Sequence, residues 1–225
     1  KTLNGKLEVT ATDLEIQIKT FSDLLDVEEE GETTVSARKM SELCRSLPDG
    51  EKVNFSLTSG KLTVRANNFH ADFATISPDD FPEIEINEEL TPLKINSSVL
   101  KRVLTKTAFS MASQDVRYYL NGMLLEVSGS KINWVATDGH RLALSSSSLV
   151  DSNLEVRNIL PRKAVLELSK LLSADDEDIS LMIGPSYIEV KSENLSFSSK
   201  LIDGKYPDYD KVFPTGNHLP VEISK

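Results

Sequence analysis

Residues 135–144, VATDGHRLAL, set an acid, an imidazole and a guanidinium within four positions, Asp138, His140 and Arg141, and serines fill 145–148. An Asp that orients a His, and a His that takes the proton of a Ser, would make a hydrolytic triad. None of these serines stands in the strained Gly-x-Ser-x-Gly elbow that exposes such a nucleophile, so catalysis is the weaker reading and no catalytic residue is assigned. Metal chemistry fares no better: His70, His140 and His218 are far apart, there is no HExxH and no cysteine pair, and no metal ligand is assigned. The ten glycines never form GxG and no Gly-Lys pair belongs to a phosphate-binding loop, so no nucleotide or other cofactor is expected. Asp138 and Gly139 also read as a turn, because an Asp side chain bonds backbone N–H groups two residues on and Gly takes positive φ.

The elements that must position this turn follow from the apolar spacing. Residues 4–18 read as strand, turn and strand, 36–47 as a helix closed by Pro-Asp-Gly, and 52–57, 61–66 and 69–76 as further strands. The pattern then restarts. A short strand at 93–96 leads into a helix over 97–109 with Ser97 or Ser98 as its N-cap. A hairpin about Ser128-Gly129 follows, then the strand after the turn, a helix over 159–172, and strands ending in GKYPDYDKVFP.

The restart is a repeat. Lys6-Leu7 and Ala11-Thr12-Asp13 match Lys131-Ile132 and Ala136-Thr137-Asp138 at an offset of 125, Arg38-Lys39 matches Arg162-Lys163 at 124, and Phe81-Pro82 matches Tyr206-Pro207 at 125. Four landmarks in one order at nearly constant spacing mark a tandem duplication of a domain-sized unit, far longer than a solenoid repeat. Residues 220–224, PVEIS, resemble 92–96, PLKIN, so a third copy is expected to start there. The chain thus divides into 1–91, the later part of one copy; 92–219, a whole second copy; and 220–225, the first residues of a third. At the turn the first copy has Thr12-Asp13-Leu14-Glu15 and the second has Thr137-Asp138-Gly139-His140. A plain turn does not need Gly, His and Arg, and a binding surface is the better reason for them.

The composition is that of a soluble protein, with 39% hydrophobic and 27% charged residues and no apolar run that would span a bilayer; no membrane association and no signal peptide are expected. The absence of an initiator Met, and a start inside a strand pattern, read as a fragment. The single cysteine, Cys44, forms no internal disulfide, fits a cytoplasmic location and reads as a small core residue. A net charge of −10 argues against nucleic-acid binding unless the cations are gathered. They are: the three helices carry nine basic residues and two acidic ones, Glu42 and Glu167, with the basic residues projecting opposite the apolar stripe on each. Basic helix faces on an acidic body would favour a polyanion along one surface.

The motifs ASQDVRYYLNGMLLEV, VATDGHRLAL, LPRKAVLEL and SKLIDGKYPDYDKVFP resemble the bacterial β sliding clamp family, the processivity subunit of DNA polymerase III, and the resemblance runs over essentially the whole chain. It implies an α+β fold of tandem DNA-clamp domains, with antiparallel sheets outside and basic-faced helices lining the inner side. It implies a non-enzymatic homodimer ring around double-stranded DNA that serves DNA replication in the cytoplasm. Its partners would be the replicative polymerase, the clamp loader and other proteins bearing a clamp-binding motif, each inserting a short hydrophobic peptide beside the second domain. The peptide-binding positions it implies are Leu120, Thr137, Gly139, His140, Arg141, Leu142, Pro207, Lys211 and Val212, with Lys211 standing where the family often has Arg. The DNA-binding positions are Arg38, Gln114, Tyr118 and Tyr119, with Arg162 and Lys163. The beginning of the first domain and nearly all of the third are outside the chain, which leaves the far wall of that cleft and the ring interfaces incomplete.

Overall fold

The computed structural model describes residues 1–24, 26–148, 154–173, 175–213 and 216. The third start expected at 220–225 lies outside the described residues. Fourteen strands and three α-helices are described, and by contacts they form two compact units, one of residues 1–102 and 167–201, the other of 103–166 and 202–225.

In the first unit a seven-stranded antiparallel sheet runs in the order β1 (Thr2–Leu3), β2 (Lys6–Thr12), β3 (Ile16–Asp23), β14 (Leu195–Lys200), β13 (Tyr187–Lys191), β12 (Asp178–Ile183), β7 (Thr91–Asn96). Its centre is the junction of β3 with β14, where Ile18 lies opposite Phe197 and Phe197 opposite Val190. Strand period two places Ile179, Leu181, Ile183, Ile188, Val190 and Phe197 in the core. A second, three-stranded sheet, β4 (Asn54–Thr58), β5 (Lys61–Ala66) and β6 (Phe69–Ala74), packs Leu62, Val64 and Phe73 with Leu43 of α1 (Ala37–Ser46). Ser36 caps α1 by accepting from the Lys39 N–H, and Arg45 in the last turn complements the helix dipole. The connector after β6 lies on the seven-stranded sheet: Ile84 N donates to Gln17 Oε1 at 2.8 Å, Glu83 pairs with Lys19, and Glu88 Oε1 accepts from Ser186 and Tyr187 N–H at 2.9 Å each.

The second unit is built on a four-stranded antiparallel sheet, β10 (Leu142–Ser148), β9 (Lys131–Thr137), β8 (Gly122–Ser128), β11 (Glu155–Pro161). Met123, Leu124, Leu125, Ile132, Trp134, Val135, Ile159 and Leu160 on these strands are at most 2% exposed. Residues on both faces of β8 are buried, so it reads as an apolar run rather than an alternation. The two remaining helices are α2 (Ser97–Thr107) and α3 (Arg162–Leu171), each entered directly from a strand. The element order β2, β3, α1, β4, β5, β6 recurs as β9, β10, α3, β12, β13, β14, with β11 as an extra strand before α3 and with β2 and β9 at the offset of 125.

Three local expectations are corrected. The helix expected over 159–172 starts at Arg162: Ile159, Leu160 and Pro161 are strand, opposite Leu124, Met123 and Gly122, because a short apolar run suits either period and cross-strand pairing decides it. The capping acceptor of α2 is Asn96, whose Oδ1 takes the Ser98 N–H at 3.0 Å and the Ser98 hydroxyl at 2.7 Å; Ser97 is buried and donates to the Asp175 carbonyl at 2.8 Å. Cys44 is exposed, since the stripe that α1 buries is narrow and centres on Leu43.

Candidate functional site

The β9–β10 connection closes on its own side chains. Asp138 Oδ1 accepts from the N–H groups of His140 (2.9 Å) and Arg141 (3.0 Å), and Thr137 Oγ1 accepts from Gly139 N (3.1 Å) while donating to the Arg141 carbonyl (2.7 Å). The first copy repeats this bond for bond: Asp13 Oδ1 accepts from Glu15 and Ile16 N–H at 3.0 and 2.9 Å, Thr12 Oγ1 accepts from Leu14 N at 3.1 Å and donates to the Ile16 carbonyl at 2.8 Å. Leu14 sits at φ +75° where Gly139 sits at +88°. Asp138 is therefore occupied by the turn, with Arg141 Nε at 3.1 Å, rather than by orienting the imidazole as a triad would require.

Glycine at 139 has a second use. A Cβ there would lie 3.1 Å from Nη1 of Arg117, whose guanidinium donates to the Asp138 carbonyl at 3.2 Å. Arg117 is itself held in a bidentate pair with Asp115, at 3.0 and 2.8 Å, the planar geometry that suits Arg and carboxylate. Sequence reasoning assigned neither residue to the turn, because 21 positions separate Arg117 from Asp138. Arg141 lies over the ring of Phe109, 5.5 Å from its centroid, and Phe109 is 57% exposed.

These contacts set the acid behaviour. The Arg117 hydrogen bonds hold the Asp115 carboxyl at about 2, below its ordinary 3.8, and the His140 and Arg141 N–H groups hold Asp138 down as well. Depressed carboxylates favour the folded turn above pH 3.8 and lose that preference as pH falls through the folded values. The amide resonances of His140 and Arg141 are thus expected to keep their folded shifts at pH 5 and to move toward random-coil shifts as pH falls below 3.8, as Asp138 is protonated; shifts that acid leaves unchanged would refute this linkage.

The expected peptide-binding residues fall in one region of the second unit. Thr137, Gly139, His140, Arg141 and Leu142 form the turn and the start of β10, with His140 and Arg141 exposed and Leu142 half-buried. Leu120 ends up inside: at 2% exposure it packs with Ala112, Leu124, Val135, Ile159, Tyr206 and Tyr209, and Leu142 covers the same cluster. The segment after β14 completes the region. Tyr206 is buried and its hydroxyl accepts from Thr137 N at 3.0 Å; Pro207 is exposed; a 3-10 turn, Tyr209–Val212, presents Lys211 and Val212, the latter 64% exposed. Lys211 Nζ pairs with Asp208 at 2.6 Å.

Of the expected DNA-binding residues, Gln114, Tyr118 and Tyr119 lie together in the second unit. Gln114 is exposed at φ +58°, Tyr118 is 56% exposed and meets the half-buried Tyr119 edge-on at 5.7 Å between centroids. Arg162 at the start of α3 donates to the Met111 carbonyl at 3.1 Å, and Lys163 beside it is exposed. Arg38 belongs to the first unit, 89% exposed at its side chain and paired with Glu42 one turn on. A cavity of about 410 Å³ in the first unit, lined among others by Gln17, Lys19, Phe21, Ile84 and Leu195, contains none of the expected residues. Among the described residues no His, Cys, Asp and Glu group could hold a metal, and no helix is long and apolar enough to cross a membrane.

Antiparallel sheets, helices α2 and α3 entered directly from strands and a duplicated Thr-Asp turn define a DNA-clamp fold. Family comparison agrees: the model for the central domain of the DNA polymerase III beta subunit matches residues 94–208, and that for its N-terminal domain matches 1–85. The chain belongs to the bacterial β sliding clamp family. It is 42% identical to the beta sliding clamp of Pseudomonas aeruginosa over 94% of this chain, and 39% identical to that of Escherichia coli over 94%. It spans about 58% of the length of these relatives. A crystal structure of the P. aeruginosa subunit superposes with a TM-score of 0.90 at 41% identity, covering 95% of this chain and 59% of that one. A P. aeruginosa sliding clamp bound to griselimycin gives 0.92 at 41% identity, covering 96% and 58%.

Proposed function

We propose that this chain is part of a processivity clamp that encircles duplex DNA and tethers the replicative polymerase through a peptide-binding cleft, without catalysing a reaction. In this reading residues 1–91 are the later part of a first clamp domain, 92–219 a complete second one and 220–225 the start of a third. The subunit forms a homodimer ring in the cytoplasm, loaded by a clamp loader and shared with other proteins that bear a clamp-binding motif. One observation carries the cleft: two turns with the same Thr and Asp hydrogen bonds differ in what they display, Leu14 and Glu15 in one, Gly139 and His140 in the other. Leu142, Pro207 and Val212 would receive apolar side chains of an extended peptide while His140, Arg141 and Lys211 orient its polar groups. Leu120, being buried, would support this floor from beneath.

Arg38, Gln114, Tyr118, Tyr119, Arg162 and Lys163 would touch DNA, mostly at phosphate, since a sliding protein has no use for tight base reading. The alternative, an acidic tandem-domain scaffold that binds peptides without a DNA role, predicts that the loaded full-length subunit leaves circular and linear DNA equally fast; a clamp is retained on the circle alone. For the cleft, griselimycin titrated calorimetrically into the full-length subunit is the probe. His140→Ala and Leu142→Ala are each expected to weaken it about tenfold, roughly 1.4 kcal/mol. Unchanged affinity in both would sink the cleft assignment.

A further inference from the structure

We propose that a polar row across the second unit's sheet, Ser146, Asn133, Glu126 and Arg157, latches the hydroxyl of Tyr209 and so positions Lys211 and Val212; this deepens, and rests on, the peptide-cleft reading. The register puts one residue of the row on each strand: Ser146 of β10 faces Asn133 of β9, Asn133 faces Glu126 of β8, and Glu126 faces Arg157 of β11. Hydrogen bonds join them, Ser146 Oγ to Asn133 Oδ1 at 2.7 Å, Asn133 Nδ2 to Glu126 Oε2 at 3.2 Å and Arg157 Nη1 to Glu126 Oε1 at 2.6 Å. Tyr209 lands on this row, donating to Glu126 Oε2 and accepting from Asn133 Nδ2 at 3.2 Å.

A carboxylate as covered as Glu126, 14% exposed at its side chain, costs desolvation that a single ion pair seldom returns, and an apolar contact would stabilise the sheet as well. What an apolar contact lacks is direction. The Tyr209 ring, 3% exposed, could slide within its cluster, but a hydroxyl shared between Glu126 and Asn133 has one seat, and Lys211 and Val212 follow Tyr209 on the same 3-10 turn. Burial, with Glu126 adding to it, pushes the Tyr209 hydroxyl up to about 12, so it remains a donor at any ordinary pH.

The first copy isolates the functional part. At the offset of 125 it places Lys1, Glu8, Phe21, Glu32 and Ile84 where the second has Glu126, Asn133, Ser146, Arg157 and Tyr209. The ion pair survives with its charges exchanged, Lys1 to Glu32 at 3.1 Å, while the tyrosine and its seat are absent. Sheet stability accounts for the pair; the latch occurs in the copy whose turn carries Gly, His and Arg.

The test is calorimetry of griselimycin binding to the full-length subunit, with thermal unfolding followed alongside. Tyr209→Phe and Glu126→Ala should each weaken binding about tenfold, and the double variant no further than either alone, as expected of one coupled unit. Val212→Ala should weaken binding in the wild-type background and add little in Tyr209→Phe, because an unlatched Val212 is no longer held to its place. A merely structural role would lower the melting temperature and leave the Val212→Ala penalty the same in both backgrounds, which overturns the latch. Wild-type affinity in Tyr209→Phe, with His140→Ala still weakened, overturns it too. Wild-type affinity in His140→Ala and Leu142→Ala instead overturns the cleft reading beneath it.

Discussion

Gly122→Val is expected to destabilise the second unit by about 3 kcal/mol or more, the upper end of what overpacking costs. Gly122 opens β8 opposite Pro161, where the strands are so close that a Cβ would lie 2.5 Å from the Leu160 carbonyl oxygen, 2.7 Å from Ile159 Cγ2 and 3.0 Å from Ile202 Cδ1. Two of these neighbours are a backbone carbonyl and a buried side chain, and neither can step aside. The shift would pass to Leu120, Tyr119 and the Ile159–Ile202 bridge. Urea unfolding followed by Trp134 fluorescence reads this unit directly, since Trp134 is fully buried in it. Gly129→Ala is the control: its added Cβ meets nothing within 4 Å, and the penalty is limited to the strain of φ +57°, on the order of 1 kcal/mol. Equal losses in the two variants would refute the close-approach argument.

In the first unit the largest loss should come from Phe197→Ala, about 3 to 5 kcal/mol as for other fully buried aromatics cut to alanine. Phe197 is 0% exposed on β14, with Ile18 of β3 on one side and Val190 of β13 on the other. Removing the ring leaves a cavity where the amino-terminal hairpin joins the rest of the sheet, so the amides of β2 and β3 should lose hydrogen-exchange protection before those of β12. Phe55→Ala on β4, where the ring is 46% exposed, should cost under about 1 kcal/mol. Exchange that quickens evenly over the whole sheet would show that β14 is not where it parts.

The turn was legible because its two copies share residue types at a fixed offset, and Thr137, Asp138 and Asp13 take the bonds their side chains favour. The alternation in β5, β12 and β13 was legible for the same local reason. What escaped were partners brought together by tertiary folding: Arg117 with Asp138, Tyr206 with Thr137, and Glu126 with residues 7, 31 and 83 positions away. Nothing in the local pattern distinguishes a Glu on an open strand from one beneath a tyrosine. The burial of Leu120 was not legible either: the 3-10 turn Tyr118–Asn121 puts it in the core cluster. Ile159 and Leu160 fit a helix stripe until their opposite strand is known.

The bonds that the two turns share use only the side chains of the first two residues; to these the next three contribute backbone alone. Structure and display are therefore separable, as in a socket that accepts different fittings. After duplication one copy could exchange Leu-Glu-Ile for Gly-His-Arg, or the reverse, with no scaffold bond broken. Diversification of one copy then carries little folding penalty while its sibling keeps the older shape.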